Sequence, residues 1–113
     1  MIQRDILTFT IANGASLSGA VDLRGLTPVR IIMPSAWTTA NLTFNVSYDG
    51  VNFTNLYDEL GTEKTVTAAA SYSIYLAPAD WVGYKQLKIR SGTSGTAVNQ
   101  GGARTILVVC IDL

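Results

Sequence analysis

The chain has 113 residues, with eight lysines and arginines set against eight aspartates and glutamates, one cysteine and no histidine. That length fits a single domain around one core, and a net charge of zero provides no field to gather nucleic acid or an anionic membrane by counterion release. Apolar residues make up 48% of the chain and charged ones 14%, enough to build a core but few to solvate a free monomer, so part of the surface is expected to sit against a partner.

Cys110 lies in the apolar run Ile106 to Ile111, where a thiol behaves as a small buried hydrophobe, and one cysteine excludes a disulfide within the chain. The stretch Met1 to Asp5 has neither the basic region nor the apolar segment of a secretory signal, and no apolar run reaches membrane-spanning length. A soluble protein made in a cytoplasm is expected. The Asn-x-Ser/Thr sequons at Asn41, Asn45 and Asn52 then read as polar strand positions and not as glycosylation sites.

Period-two alternation dominates from the start. Leu7, Phe9 and Ile11 fall on one face of a strand, with Ile6, Thr8 and Thr10 on the other, and Asn13-Gly14 ends it. A Ser/Gly-rich connection leads to a short piece at Ala20 to Leu23. Val29 to Met33 follows as a strand closed by Pro34, which has no N–H for a ladder. Asn41 to Tyr48 places Leu42, Phe44, Val46 and Tyr48 on a core face, with Asn41, Thr43, Asn45 and Ser47 opposite. Asp49-Gly50 supplies a tight hairpin turn, with the return strand at Phe53 to Tyr57.

Beyond a turn at Asp58 to Gly61, Lys64 to Ala68 and Tyr72 to Leu76 read as short strands. Pro78-Ala79-Asp80-Trp81 is one helical turn at most, because Gly83 follows so soon. Tyr84 to Arg90 alternates again. Ser91 to Gly102 is glycine-rich, long for a loop, and expected to be the most flexible part of the chain, able to order against a neighbouring subunit. Thr105 to Leu113 is apolar on both faces, the pattern of a central strand covered on both sides. Seven or eight short strands without a convincing helix predict an all-β, single-domain antiparallel β-sandwich over residues 1–113, laid out as a jelly roll, with a partly closed barrel as the competitor.

Catalytic chemistry finds little footing. Without histidine the commonest general base, triad partner and transition-metal ligand are all missing. Asp49, Asp58, Glu59 and Glu63 lie mainly in turns, where carboxylates stabilise backbone, and they lack the loop spacing of a calcium site. No glycine pattern leads into a helix that would cradle a phosphate. A non-enzyme without cofactor or metal is expected. Trp37 and Trp81 sit at strand ends, either as exposed contact anchors or as plugs of the sandwich. The acids at positions 49 to 63 and the bases Lys85, Lys88, Arg90 and Arg104 are segregated along the chain, compatible with an electrically two-sided domain or an ordinary mixed surface. The partner-contact candidates are Trp37, Trp81, Arg90, Ser91, Gly92, Thr93, Asn99, Gln100 and Arg104.

Three stretches, Ile31-Ile32-Met33-Pro34-Ser35-Ala36-Trp37, Leu42 to Gly50, and Leu87-Lys88-Ile89-Arg90-Ser91-Gly92-Thr93, together resemble a family of small tailed-bacteriophage structural proteins, over most of the chain from about Val29 to Thr105. The resemblance implies a virion component, foremost a capsid decoration or cement protein, with neck, tail or fibre roles as neighbours. Its implied partners are other virion proteins and further copies of itself, for instance as a trimer, assembled in the host bacterial cytoplasm. The stretch Ser47-Tyr48-Asp49-Gly50-Val51-Asn52-Phe53 is similar to a hairpin of discoidin-like and carbohydrate-binding β-sandwiches, which keeps a glycan- or receptor-binding module as the alternative.

Overall fold

The computed structural model describes residues 4–113; Met1 to Gln3, part of the N-terminal stretch considered above, lie outside the described residues. Alternation is realised most cleanly in β1 (Arg4–Ile11), where Leu7, Phe9 and Ile11 are buried while Ile6, Thr8 and Thr10 face solvent. The chain continues through β2 (Val21–Asp22), β3 (Thr27–Ile32), β4 (Leu42–Ser47), β5 (Thr54–Asn55), β6 (Ser73–Tyr75), β7 (Gln86–Ser91) and β8 (Arg104–Ile111), with a 3-10 turn at Pro78–Asp80.

The strands form two four-stranded sheets, ordered β1-β8-β3-β6 and β2-β7-β4-β5. Every described pairing is antiparallel. The outermost strands in sequence pair with each other, β1 with β8, then β2 with β7, β3 with β6 and β4 with β5, as in a long ribbon folded on itself. Rolling that ribbon adds the contacts β8–β3 and β7–β4. This is the jelly roll, and the fold is an all-β antiparallel sandwich of one domain.

Between the sheets lies one core. Phe9, Ile11, Ile31, Ile106, Val108 and Cys110 come from the first sheet, and Leu42, Phe44, Leu87 and Ile89 from the second. Trp81, from the 3-10 turn, meets Phe44 edge to face with ring centroids 4.7 Å apart at 83°, an arrangement that adds roughly 0.5–1.5 kcal/mol to the burial itself. Burial raises the Cys110 thiol to about 11, so at neutral pH it is protonated and packs as an apolar group.

Local departures from the expected strands have identifiable causes. Thr27 and Pro28 belong to β3, because the register shifts between Pro28 and Arg30 and so tolerates a residue without an N–H. Residues 16–23 run along β7 as an interrupted edge: Leu17 bridges Arg90, Val21 pairs with Leu87, and the Ser18 hydroxyl accepts the Ile89 N–H (2.9 Å) where the register slips. Lys64 to Ala68 is not a strand; Val66 alone makes reciprocal 2.9 Å bonds with Leu42.

The Asp49-Gly50 turn is also wider than the tight hairpin expected. β4 ends at Ser47, and the first pair with β5 is Val46 with Thr54. Only Gly50 takes a positive φ, +80°, whereas Asp49 works through its side chain. Its carboxylate accepts from the backbone N–H groups of Val51 and Asn52 (both 2.8 Å), the Asn52 amide and the Ser47 hydroxyl, and the Asn52 and Val51 bonds hold it well below the usual carboxylate range. Tyr48 consequently leaves the core face and is 74% exposed. Because Phe44 is fully buried and carries the Trp81 contact, Phe44→Ala is expected to cost about 3–5 kcal/mol in urea denaturation, against a few tenths for Tyr48→Ala.

Candidate functional site

Ser91 to Gly102, the expected flexible loop, is tied down along its length. Gln100 is 1% exposed, and its amide uses both ends. Oε1 accepts from Thr38 N–H (2.8 Å) and Arg104 Nε (3.1 Å), while Nε2 donates to Thr38 O (2.9 Å) and to the buried Ser91 hydroxyl (2.7 Å). Backbone bonds Gln100 N–H to Ala15 O, Gly14 N–H to Gln100 O, and Val98 N–H to Ser91 O complete the clasp. Gly92 sits at φ +89°, where a Cβ would lie 2.6 Å from Thr96 O and 2.7 Å from Val98 N, so no side chain fits there. A buried amide with all its partners rigidifies what composition alone reads as loose.

The partner-contact candidates therefore divide. Ser91, Gly92, Gln100 and Arg104 are brought together, but as the inside of a structural clasp. Thr93 and Asn99 are exposed on the loop's surface. Trp37 is half-buried, packs against the core and donates its indole N–H to Ala40 O (3.0 Å). Trp81, at 1% exposure, is a core residue and no contact anchor, because the 3-10 turn folds its ring inward over Phe44. Among the described residues its Nε1 is the buried side-chain polar atom left without a hydrogen-bond partner.

Charge is interleaved and not two-sided. Arg90 reaches across to Glu63 (3.6 Å), donates to Asn55 Oδ1 (2.8 Å) and lies near Thr43, while Glu63 accepts the Ser94 N–H. Lys64 pairs with Asp80 at 2.9 Å, and the Lys88 ammonium lies 4.4 Å from the centre of the Phe53 ring. Asp58 caps its own turn through Leu60 N–H (2.9 Å) and Thr62 N–H (3.0 Å). The amides of the three sequon asparagines are likewise engaged, Asn41 with Ala68 N–H, Asn45 with Asn55 and Asn52 with Asp49. Among the described residues no cluster of acids and cysteine is arranged to hold a metal ion.

Besides a more open groove lined by Lys64 to Thr67, Ile74 to Ala77, Asp80 and Trp81, two surface features remain among the described residues. One is a shallow groove of about 370 Å³ between the 56–64 segment and the 3-10 turn, bordered by Tyr57, Glu59, Lys64, Asp80 and Tyr84; it was not foreseen, because its walls come from segments that lack any motif. The other is the outer face of the first sheet. There the register sets Ile6, Val109, Arg30 and Tyr75 in one row and Thr8, Leu107, Ile32 and Ser73 in the next. Ile6 is 50% and Tyr75 65% exposed, and the Arg30 guanidinium lies 5.0 Å from the centre of the Tyr75 ring. Leu107, Val109 and Ile111 give central β8 an apolar face that the described residues leave only half-buried.

With that geometry in view, the chain can be set beside two solved structures. It matches the SPBc2 prophage-derived protein YomS with a TM-score of 0.52 at 13% identity, over 96% of this chain and 95% of that one. It also matches a protein from Bacillus endospore appendages, described as a family of disulfide-linked pili, with a TM-score of 0.45 at 13% identity over 98% of this chain and 85% of the other. No protein-family model and no curated relative matches the sequence.

Gln100→Leu keeps the bulk but strands the Thr38 N–H, the Arg104 Nε and the Ser91 hydroxyl. A loss of roughly 2–4 kcal/mol is expected, with residues 92–99 becoming sensitive to limited proteolysis before the rest of the chain.

Proposed function

We propose that this chain is a non-catalytic structural protein of a tailed-bacteriophage virion, foremost a capsid decoration or cement protein that acts by protein–protein contact. The observation behind this reading is the outer face of the first sheet. β8 has the composition of a strand covered on both sides, yet only Ile106, Val108 and Cys110 meet the core, while Leu107, Val109 and Ile111 are left half-buried by the described residues, beside Ile6 and Ile32. Burying such a face contributes about 25 cal/mol per Å² of apolar surface, and many copies on a symmetric shell convert modest single contacts into avidity. Similarity in fold to a prophage-derived protein over nearly the whole of both chains is compatible with that setting.

The groove beside Tyr57 and Tyr84 favours a second reading, a glycan- or receptor-binding module of a tail, fibre or head spike. Tyr57, 50% exposed, offers a stacking face, and Glu59, Lys64 and Asp80 offer hydrogen-bonding groups for hydroxyls. Glycan-array binding that is lost in Tyr57→Ala would favour this module over the shell contact.

The two readings part in purified particles. A decoration protein is expected near the copy number of the major capsid protein by quantitative mass spectrometry, and Val109→Lys, on the outer face, should remove it from particles while lowering folding stability by no more than about 1–2 kcal/mol. Trace abundance would move the assignment to neck, tail or fibre, and absence from particles would overturn it.

A further inference from the structure

We infer that the free edge of β1 pairs with β1 of a second copy, antiparallel across a two-fold axis at Thr8, joining the first sheets of two copies into one. This goes beyond the virion reading and rests on different groups, the backbone of an edge strand in place of the outer face of β8.

Which way the backbone of β1 points follows from its neighbours. Met33 N–H donates to Tyr72 O (2.8 Å), in register with Ile31 opposite Ile74, so the odd-numbered residues of β3 bond toward β6 and the even-numbered ones toward β8. Ile32 is opposite Leu107 and Arg30 opposite Val109, which commits the backbone groups of Leu107 and Val109 to β3. Ile106, Val108 and Cys110 then turn toward β1, where they meet Phe9, Leu7 and Asp5. The groups of Ile6, Thr8 and Thr10 must point the other way, out of the sheet. Ile6 bears this out, since its N–H donates to the Asp5 carboxylate (2.8 Å) and not to β8. Outside the ladders, among the described residues, no hydrogen bond reaches the N–H of Thr8 or Thr10.

Edge strands are ordinarily blunted by shortness, proline, lysine or a bulge. The other edges of the molecule are two or three residues long in β2, β5 and β6, whereas β1 has eight residues and pairs with β8 along its whole length without a register shift. From Ile6 to Ile11 it carries no charge, no proline and no glycine. Among the described residues the device in place is the charged pair Asp5 and Arg24: the Asp5 carboxylate takes the Ile6 N–H and the Arg24 guanidinium, and neither side chain reaches the N–H of Thr8 or Thr10.

Self-pairing fits this edge better than a foreign strand does. An antiparallel pair is two-fold by construction, so one edge can serve both partners. Centred on Thr8, the pairing sets Thr8 against its twin and Ile6 against Thr10 of the second copy, β-branched pairs that suit a sheet. Thr8 N–H and C=O bond to their counterparts, and Thr10 N–H bonds to Ile6 C=O without disturbing Asp5. Arg4 then falls opposite Ala12 and Asp5 opposite Ile11, so no like charges meet, whereas an in-register parallel pair would stack Arg4 on Arg4 and Asp5 on Asp5. Antiparallel pairing also continues the apolar outer rows from one copy into the next.

Light scattering of the purified chain over a range of concentrations is expected to show a dimer. Thr8→Pro removes the outward N–H and leaves the bonds to β8 in place; it should give a monomer with an unchanged circular dichroism spectrum, while Thr8→Val should dimerise. Hydrogen exchange on the unmodified chain provides a reading that needs no variant, with the Thr8 and Thr10 amides protected at high concentration and losing protection on dilution. A chain that stays monomeric with both amides exchanging freely overturns the inference. So does an oligomer of any order that Thr8→Pro leaves intact, or protection of Thr8 and Thr10 that arises only when another protein is added. Val109→Lys should leave the dimer in place, so loss of shell binding and loss of pairing are separable.

Discussion

β8 is the last strand in sequence and lies between β1 and β3, pairing with both. Neither sheet face is complete without it. Ile106, Val108 and Cys110 sit across the core from Leu42, Phe44 and Ile89, and without them Phe9 and Ile31 would lose both a hydrogen-bonded frame and a packing neighbour. Arg4 is opposite Ile111, so the first and last described strands must meet before the first sheet exists. Loop-closure entropy grows only as the logarithm of length, which makes such a distant pairing thermodynamically tolerable. Folding through it is expected to be slow, as it is for other sandwiches rich in non-local contacts.

That central strand shapes the periphery as well. Ser91 to Gly102 must carry the chain from β7 in one sheet to β8 in the other, and the Gln100 amide fixes the crossing by linking the Thr38 backbone, Ser91 and Arg104. The carboxylates serve the same end at other corners: Asp49 and Asp58 each hold a turn through their own backbone neighbours, and Glu63 ties Arg90 to the Ser94 N–H. With so few charges in the chain and most of them tied into loops, the broad outer face of the first sheet is mainly apolar and hydroxyl, with Arg30 lying over Tyr75 and Arg4 at its end. An apolar face on a central strand and a β1 edge guarded only at Ile6, by Asp5 with Arg24, are adjacent parts of one sheet, so contacts made by one would be extended by the other.

Much of this architecture was legible because period-two patterning is a local signal. β1, β3, β4, β6, β7 and β8 could be placed from alternation and turn residues, and Pro78 with Gly83 bounded the single helical turn. Where the reading failed, the decisive contact was a side-chain hydrogen bond that alternation does not report, distant in sequence at Gln100 and local at Asp49. Nothing near Gln100 announces that Thr38 and Ser91 will close around its amide, so glycine content stood in for mobility. Tyr48 alternates correctly with Phe44 and Val46, yet Asp49 captures the backbone of Val51 and Asn52 and ends the strand one residue earlier.

By itself, then, the sequence determined the class of fold, most of the strand faces, the burial of Cys110 as a small apolar group and the absence of histidine, since each depends on residue type and spacing along the chain. Tertiary structure alone decided that Trp81 is core and not contact, that acids and bases interleave across strands, and that the described residues leave one apolar face of β8 half-buried. Those outcomes turn on which segments the rolled ribbon sets side by side, and pairing over a hundred residues leaves no mark in local periodicity.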